Sequence, residues 1–513
     1  MSWKSPVVMI GLDSITWDVM DPLLAAGKMP NIARLMSEGS SSALQSMIRY
    51  PSPALWTSII TGKLPEKHGV PDFYSATRLH IQVPTLYEIL PEEPGSNGLF
   101  RWHASGPHPE KTKFTVPSYV DRWSDTFPQK LEFLNDLARP TGVKSYLNGA
   151  YQLLRHGARF STIMNSLAEV IYEAATRPEQ EEWWYRRRFV EAAINTDVFS
   201  HLLRDTQPQF SAVLYSYLDD LSHHYWKYHE PEAFDDVTKE EIEKYGEVIN
   251  NAYIKADHAV GQILKSVPED ALVIVLSDHG QHAIKLYQKP AMIHSQKLLK
   301  FIGFQDRIWS TELGLSILLR AHDTSDRQTL NELKMAIEQI TMPEDGQAVF
   351  EVEQDEAATH LVVKVNIPKE TPLTSKASFP NGRIIQLQEF LYSRGKLSGH
   401  HSEWGVLIMK GPGVRKGHKI EEKETPQSPH ILDVTPTILA LRGLPIGRDM
   451  DGKVLEQLIE PSFLEKNPYR YIDSYKKDAI ASDQQHPDHA VEPLTAQELK
   501  ELEGKLRDLG YLS

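Results

Sequence analysis

The sequence predicts an α/β fold, with a mainly parallel central sheet flanked by helices and with two inserted regions. Three short, continuously apolar runs lead to this prediction, at residues 7–12, 210–218 and 271–277. Continuous apolarity is typical of strands that are buried on both faces, as in parallel sheets. Each run is followed directly by an aspartate, and ligands of open α/β sheets bind at the carboxyl ends of the strands. The pattern therefore predicts one crevice at which Asp13, Asp219 and Asp278 meet.

Composition narrows the classes of function. The chain has 513 residues and a formal net charge of −14 with histidine neutral, which argues against a protein that coats nucleic acid. Cysteine is absent, so disulfides, thiolate metal sites and cysteine nucleophiles are excluded. The 21 histidines remain as side-chain nitrogen ligands. No apolar stretch approaches the roughly 18 residues of a membrane span. We therefore expect a soluble, cytoplasmic enzyme.

Two insertions are expected to interrupt a catalytic domain that spans residues 1–465. The first, at about residues 90–205, opens with loops rich in proline and glycine and then becomes helical, which predicts a helical cap. The second, at about residues 295–395, mixes helical and strand-like patterns, which predicts a small α+β cap. We expect both caps to lie over the crevice.

The C-terminal part, residues 466–513, is predicted to form a polar linker followed by a docking helix. Thr495-Ala-Gln-Glu498 has the spacing of a capping box at the start of a helix. Four leucines share one face of that helix: Leu499, Leu502, Leu506 and Leu509. This apolar face needs a partner surface on the same domain or on another subunit, so a homo-oligomer is one expectation.

Ser52 stands at the entrance of a predicted helix. The turn-forming Pro51-Ser52-Pro53 precedes an apolar, helix-compatible segment at 54–61, which Gly62 stops. A helix N-terminus offers unpaired backbone N–H groups and the positive end of the helix dipole, which favour a phosphate. A serine there is also a common N-cap. This motif alone leaves both roles open.

Two further motifs pair a carboxylate with an imidazole. Asp219 and His223 are four residues apart, so a helix that begins near the strand end would place both on one side. Asp278 and His279 are adjacent at the end of an apolar run, and the following Gly280 permits a sharp turn. Alone, the first motif is more often a solvated face or a cap, whereas the second is the stronger signal and has a buried Asp–His pair that holds a turn as its alternative. Their combination indicates a metal centre.

Six oxygen and nitrogen ligands are then available, with the Ser52 hydroxyl beside them: Asp13, Asp219, His223, Asp278, His279 and His401. This number is too large for one tetrahedral zinc and suits two divalent cations about 4 Å apart. Two such cations clamp the attacking and leaving oxygens of a displacement at phosphorus, and one lowers the pKa of the Ser52 hydroxyl. Three aspartates and three histidines favour zinc, with manganese as a substitute.

Three aromatic residues near these motifs are candidates for substrate contacts. Trp56, Tyr225 and Trp226 would stack on a base or on an aryl leaving group. Aromatic side chains at such positions more often belong to the core, and this alternative stays open.

The order of the motifs resembles that of the alkaline phosphatase superfamily, most closely its type I phosphodiesterase/nucleotide pyrophosphatase branch. The matching segments are Ile10-Gly-Leu-Asp13, the stretch from Ser52 to Gly62 with Pro65-Glu-Lys-His-Gly69, Asp219-x3-His223, Ser277-Asp-His-Gly280, His401-x3-Gly405, residues 431–445, Asp449-Met-Asp-Gly452 and Leu509-Gly-Tyr-Leu512. The resemblance covers somewhat over half of the chain and omits both insertions. It implies an alkaline-phosphatase-like fold and activity on a small phosphate ester.

The resemblance also implies a role for each ligand. Asp219, His223 and His401 would hold one metal, and Asp13, Asp278 and His279 the other, with Ser52 as the bridging nucleophile. The implied reaction is a double displacement through a phosphoseryl intermediate. A phosphodiesterase or nucleotide pyrophosphatase is the first expectation. A phosphomonoesterase, phosphonate hydrolase or phosphotransferase with the same dimetal core is the alternative, and a catalytically silent binding scaffold is the rival from another class.

The chain departs from the family pattern at two places. Nucleotide pyrophosphatases usually carry threonine where Ser52 stands, and they tend to place an asparagine shortly after the His-Gly pair. Here that segment, residues 70–74, contains no asparagine. A third contact to the phosphoryl group must therefore come from elsewhere, for which the backbone N–H groups after Ser52 are candidates. The arginine of the sulfatase motif is absent after Ser52 as well, so sulfatase activity is not expected.

Overall fold

A computed structural model describes residues 5–475 except 92, 94, 109–111, 122–124, 138–142, 285–290, 314, 323–325, 355–358, 369, 394–396, 421–424 and 426, together with residues 500, 502 and 504. Its centre is an eight-stranded sheet. Across the sheet the strands follow the order His418–Ile420, Ser40–Gln45, Trp404–Lys410, Leu272–Leu276, Val7–Leu12, Phe210–Tyr215, Asn97–Phe100 and Phe114–Val116. Trp404–Lys410 runs antiparallel to both of its neighbours, and the other neighbouring strands are parallel. The predicted α/β fold with a mainly parallel sheet is confirmed.

The three apolar runs that predicted the sheet lie side by side at its centre. In the register of the sheet, Leu12 is level with Tyr215 and Gly11 with Leu276, so these strands end at one edge. The antiparallel strand Trp404–Lys410 begins at that same edge. His401, three residues before this strand, is thereby brought to the carboxyl ends of the parallel strands.

The strand Val7–Leu12 shows why these runs are continuously apolar. Val8 and Ile10 point into the core on one face of the sheet, whereas Val7 and Met9 point into the core on the other face. All six residues of the strand are buried. Helices therefore cover both faces, and the α-helices outside the two inserted regions are Trp17–Ala25, Pro30–Glu38, Ser52–Thr61, Pro65–His68, Leu86–Ile89, Tyr217–His229, Lys239–Tyr245, Val248–Leu264, Val434–Leu441 and Pro461–Lys466.

The predicted helical region at about 90–205 differs from the structure in its first part. Asn97–Phe100 and Phe114–Val116 are strands of the central sheet rather than part of an insertion. They are only four and three residues long and lie among proline- and glycine-rich loops, which concealed them. The remainder is helical, as expected, with helices Phe133–Leu137, Val143–Arg155, Phe160–Thr176 and Gln180–Thr206.

The region at about 295–395 is a small α+β unit with its own apolar core. Its four-stranded sheet has the order Phe350–Gln354, Leu361–Val365, Ser316–Ala321 and Ile308–Leu313, and its helices are Ser295–Ile302 and Arg327–Glu338. Short ribbons complete the strand pairing: Gly280–Ala283 with Gly399–Ser402, Ala291–Ile293 with Leu391–Ser393, Lys376–Ser378 with Ile384–Gln386, and Ile446–Gly447 with Tyr471–Ile472. The first two ribbons connect this unit to the carboxyl edge of the central sheet.

The capping-box spacing at Thr238 predicts one helix over about residues 238–264. The capping box forms, but the helix is interrupted after Tyr245 and resumes at Val248. The predicted linker and the docking helix lie almost entirely outside the described residues. Leu502, one of the described positions there, is buried. Among the described residues, no helix is both long and apolar enough to cross a membrane.

Candidate active site

Ser52 is the first residue of the helix Ser52–Thr61, and Pro51 is its N-cap. The Ser52 side chain makes no capping hydrogen bond, and within the described residues its Oγ has no hydrogen-bond partner. Ser52 is only 2% exposed. The N-cap role that the motif left open is therefore not the role of this hydroxyl.

Trp56 connects the Ser52 helix to the carboxyl edge of the sheet. Residues four apart lie on the same face of a helix, so Ser52 and Trp56 face the same way. Trp56 Nε1 donates a hydrogen bond to Asp13 Oδ2 at 3.4 Å. Asp13 directly follows the strand Val7–Leu12. This contact therefore turns the Ser52 side of the helix towards the strand ends.

The first donor cluster consists of Asp219, His223 and His401. Asp219 Oδ1 lies 3.3 Å from His223 Nε2 and 3.4 Å from His401 Nε2, and the two Nε2 atoms are 3.0 Å apart. The helix Tyr217–His229 carries Asp219 in its first turn and His223 one turn later. The strand before it ends at Tyr215 rather than continuing to residue 218 as predicted, and this earlier helix start places both ligands on one face.

The second donor cluster consists of Asp13, Asp278 and His279. His279 Nε2 lies 3.6 Å from Asp13 Oδ1 and 3.5 Å from Asp278 Oδ2. All three residues are fully buried. The ring of His279 stacks on that of His401 with centroids 3.7 Å apart, so the two clusters adjoin.

His279 could serve either cluster on distance alone. Its ligand atom lies within 4.8 Å of those of Asp13 and Asp278, and also within 4.8 Å of those of Asp219 and His401. The structure therefore brings all six predicted ligands into one centre. The division into two sets of three follows the family resemblance rather than a gap between the clusters.

Backbone carbonyls orient two of the histidines. His223 Nδ1 lies 2.9 Å from the Gly399 carbonyl oxygen, and His279 Nδ1 lies 3.0 Å from that of Gly280. A carbonyl can only accept, so each Nδ1 carries the proton and each Nε2 presents a lone pair to the centre. A hydrogen bond on the far ring nitrogen is the usual second contact of a metal-binding histidine.

The carboxylates repel one another when no cation is present. Burial raises the pKa of Asp13 well above its usual value, and the nearby carboxylates of Asp278 and Asp219 add to this effect. Burial also raises the pKa of Asp278. Burial opposes ionisation of Asp219 too, but the imidazoles of His223 and His401 hold its pKa below the usual value. Concentrated, buried negative charge of this kind is stabilised by bound cations.

These residues fit a pair of divalent metal ions. The donors are three carboxylates and three imidazoles, and cysteine is absent from the chain. Within the described residues His279 Nε2 makes no hydrogen bond although it is buried, as expected of an atom that binds a metal. In the division that the family resemblance implies, three protein ligands for each ion would leave a position open for a substrate oxygen.

Gly280 is required because two segments of the chain approach each other closely there, and not because of the sharp turn that we expected. It opens the strand Gly280–Ala283, which pairs with Gly399–Ser402. A Cβ atom at Gly280 would lie 2.1 Å from the carbonyl oxygen of Trp404. The glycine therefore allows the segment that carries His279 to pack against the segment that carries His401.

Gly280→Ala should lower both the thermal stability and the metal content of the protein. The backbone beside His279 must move to relieve the clash, and overpacking of this kind costs about 1–3 kcal/mol. Thermal unfolding and elemental analysis of the purified variant would measure the two effects. Gly504→Ala is a matched control, because no atom of the described residues lies within 4 Å of a Cβ at Gly504. Full metal content in Gly280→Ala would show that this packing does not position His279.

The three predicted substrate-stacking residues lie in the core. Trp56, Tyr225 and Trp226 are each at most 2% exposed. Trp56 packs edge-on against Trp102 at 4.9 Å, and Tyr225 stacks on Trp184 at 6.1 Å. In the part of the chain that the structure describes, rings so little exposed offer no face to a base or an aryl group. These three side chains therefore fit the alternative of a core position better than a substrate contact, and Trp56 also donates a hydrogen bond to Asp13.

Arg188 is a residue near the site whose role the sequence does not reveal. It belongs to the long helix Gln180–Thr206, and its Nη2 lies 3.2 Å from Oδ2 of the buried Asp220. Asp220 directly follows the ligand Asp219, so this ion pair holds the helical region against the helix that carries the first donor cluster. Three consecutive arginines, residues 186–188, give no sign in the sequence of which one pairs with Asp220.

The small α+β unit contacts the chain on both sides of the Ser52 helix. The rings of Tyr50 and His360 meet with centroids 5.2 Å apart, and Tyr74 donates a hydrogen bond to the Ser310 carbonyl at 3.0 Å. Arg320 of this unit also forms an ion pair with Asp72. The unit therefore packs against the segments that flank Ser52.

A mainly parallel sheet with a histidine- and aspartate-lined centre at its carboxyl edge is the architecture of the alkaline-phosphatase-like hydrolases, and this chain has that fold class. The model of the Type I phosphodiesterase / nucleotide pyrophosphatase family matches residues 7–388. The chain therefore belongs to this family, whose members are phosphoester hydrolases that typically depend on metal ions. The matched region contains Ser52 and every predicted ligand except His401.

Two groups of solved structures resemble the chain at low sequence identity. Human ectonucleotide pyrophosphatase/phosphodiesterase 5 is 11% identical, with 89% of this chain and 100% of that chain covered and a TM-score of 0.46. Phosphonoacetate hydrolase from Sinorhizobium meliloti 1021 is 13% identical, with 85% of this chain and 95% of that chain covered and a TM-score of 0.45. A comparison with curated protein sequences finds no match.

Proposed function

We propose that the protein is a dinuclear metal-dependent phosphodiesterase that acts through a phosphoseryl intermediate at Ser52. One observation carries this proposal above all. Six donors from four separate segments converge at the edge of the sheet that the Ser52 helix faces. A silent scaffold would have no need of buried titratable groups such as Asp13, Asp219, Asp278 and His279, which cost folding stability.

The chain's own residues would divide the reaction as follows. Ser52 Oγ would form a bond to phosphorus as the bond from phosphorus to the leaving oxygen breaks, and the Oγ proton would pass through solvent to the leaving alcohol. Water then replaces Ser52 at phosphorus, which releases the phosphate product and returns the serine hydroxyl. The helix N-terminus at Ser52 supplies backbone N–H groups to the phosphoryl oxygens. Bound metal ions supply Lewis-acid stabilisation of the oxygens that enter and leave.

Zinc is the proposed metal, because three imidazoles and three carboxylates suit it, and manganese is the proposed substitute. The proposed substrate is a small phosphate diester. The cytoplasmic location and the homo-oligomer remain predictions from the sequence, which cell fractionation and light scattering would test.

The zinc-loaded protein should hydrolyse bis-p-nitrophenyl phosphate faster than p-nitrophenyl phosphate, and a chelator should abolish both activities. Acid quenching during turnover should trap a phosphoryl group on Ser52, which peptide mass spectrometry would locate. Faster monoester hydrolysis would favour the phosphomonoesterase alternative. Two bound metals without turnover of either ester or of a phosphonate would contradict the proposed function.

A further inference from the structure

His103 is a buried histidine beside the metal centre that none of the roles described above uses. It lies three residues after the strand Asn97–Phe100, at the same edge of the sheet as the donor clusters. His103 is only 3% exposed, and among the described residues neither of its ring nitrogens has a hydrogen-bond partner. Buried polar atoms without a partner are rare and call for an explanation.

Strained backbone holds His103 in place. Arg101 and Ala104, on either side of it, have φ angles of 55° and 52°, in the left-handed region that non-glycine residues seldom adopt. Such strain persists only where the surrounding structure enforces it, and it concentrates at functional sites.

Hydrogen bonds of Asp121 and Arg101 enforce this backbone conformation. One carboxylate, that of Asp121, accepts hydrogen bonds from the backbone N–H groups of Ala104, Ser105 and Gly106 at 3.0, 3.1 and 3.2 Å. The Arg101 guanidinium donates to the carbonyl oxygens of Pro117 and Leu134 and to the Asn135 side chain. The loop from residue 101 to residue 106 is thus clamped at both ends around an imidazole that itself makes no hydrogen bond to the described residues.

The clamped loop faces the catalytic elements. Trp102 packs edge-on against Trp56 at 4.9 Å, and Trp56 in turn donates to Asp13. Burial lowers the pKa of His103 to about 3, and the carboxylate of Asp219 acts in the opposite direction. The imidazole is therefore neutral, with one N–H donor, and lies within the electrostatic reach of the first donor cluster.

From this geometry we infer that His103 is a substrate-contacting residue whose ring N–H donates a hydrogen bond to a non-bridging oxygen of the bound phosphoryl group. This inference rests on the proposed function, because it names a residue that recognises the same phosphoryl group. It also supplies the contact that residues 70–74, which lack asparagine, do not provide.

His103→Leu removes the donor and fills most of the same volume. In the metal-stripped protein we expect its unfolding temperature to be unchanged or higher, because an unpartnered buried imidazole is replaced by an apolar side chain. In the zinc-loaded protein we expect two bound metals, about tenfold weaker binding of inorganic phosphate and at least a tenfold lower kcat/KM, as for one lost hydrogen bond to a charged group.

His68→Leu is the matched control. His68 is equally buried, but both of its ring nitrogens are bonded, to Ser58 Oγ at 2.9 Å and to the Val70 N–H at 3.2 Å. This variant should unfold at a lower temperature, because the Ser58 hydroxyl and the Val70 N–H lose their hydrogen-bond partner. His103→Asn, which keeps a donor, should recover part of the phosphate affinity.

Three results would overturn the inference. His103→Leu that is destabilised as much as His68→Leu, or that fails to fold, would show that the imidazole has a structural role. Unchanged phosphate affinity would show that it does not touch the phosphoryl group, and loss of a metal would make it a metal-positioning residue. If the wild-type protein binds phosphate but turns over no ester, the proposed function fails while the His103 contact can still be judged by affinity and unfolding.

Discussion

Ser52→Ala should lower kcat for diester hydrolysis by at least about a thousandfold while the protein keeps two metal ions per chain. Removal of a nucleophile costs at least this much in enzymes that use a covalent intermediate. Metal content should persist because the six donors come from other segments and are held by their own contacts. Stopped assays with bis-p-nitrophenyl phosphate and elemental analysis of the same sample would measure both quantities.

Ser52→Thr is the control for this prediction. It keeps a hydroxyl at the first position of the helix, so it should retain far more activity than Ser52→Ala and should still form a phosphorylated intermediate. Turnover that is equal in wild type and Ser52→Ala would remove Ser52 from the mechanism and point to direct attack by water.

His223→Ala should lower the affinity for one of the two metals by about a hundredfold or more, which exceeds the usual effect of losing a residue that only supports a ligand. The Nε2 atom of His223 lies 3.3 Å from Asp219 Oδ1 and 3.0 Å from His401 Nε2, so its loss opens one side of the first donor cluster. Elemental analysis after dialysis should find close to one metal per chain. Activity should fall with the metal and recover partly at high zinc concentration.

His224→Ala is the neighbouring control on the same helix. The ring of His224 packs edge-on against Trp184 at 4.8 Å, so this variant should lose some stability while retaining two metals. A His223→Ala protein that still holds two tightly bound metals would show that His223 is not a required ligand and that the predicted ligand list is wrong.

Much of the architecture could be read from residue types along the chain. Continuous apolarity at residues 7–12 and 271–277 predicts strands buried on both faces, and each of these runs lies at the centre of the sheet. The helix boundary between Tyr215 and Tyr217 could not be placed, because residues 216–218 are as apolar and aromatic as the strand before them. Short strands at the sheet edge, such as Phe114–Val116, carry too few residues for a periodic pattern.

The sequence by itself determined which chemistry was available. Aspartates at strand ends, histidines close to them and the absence of cysteine restrict the centre to hard and borderline metals with oxygen and nitrogen ligands. Local spacing was enough for Asp219 with His223 and for Asp278 with His279, because each pair belongs to one short segment. Sequence order also carried the family resemblance that the match over residues 7–388 confirms.

Only the tertiary structure decided which of these residues meet and which are hidden. His401 joins Asp219 because one strand runs antiparallel to the rest, which no local pattern around His401 encodes. Trp56 proved to be a buried support of Asp13 rather than a substrate contact, and His103 proved to be an unbonded imidazole in a clamped loop. The physical reason is the same throughout: burial and hydrogen bonding depend on long-range packing, which residue types and short-range spacing do not specify.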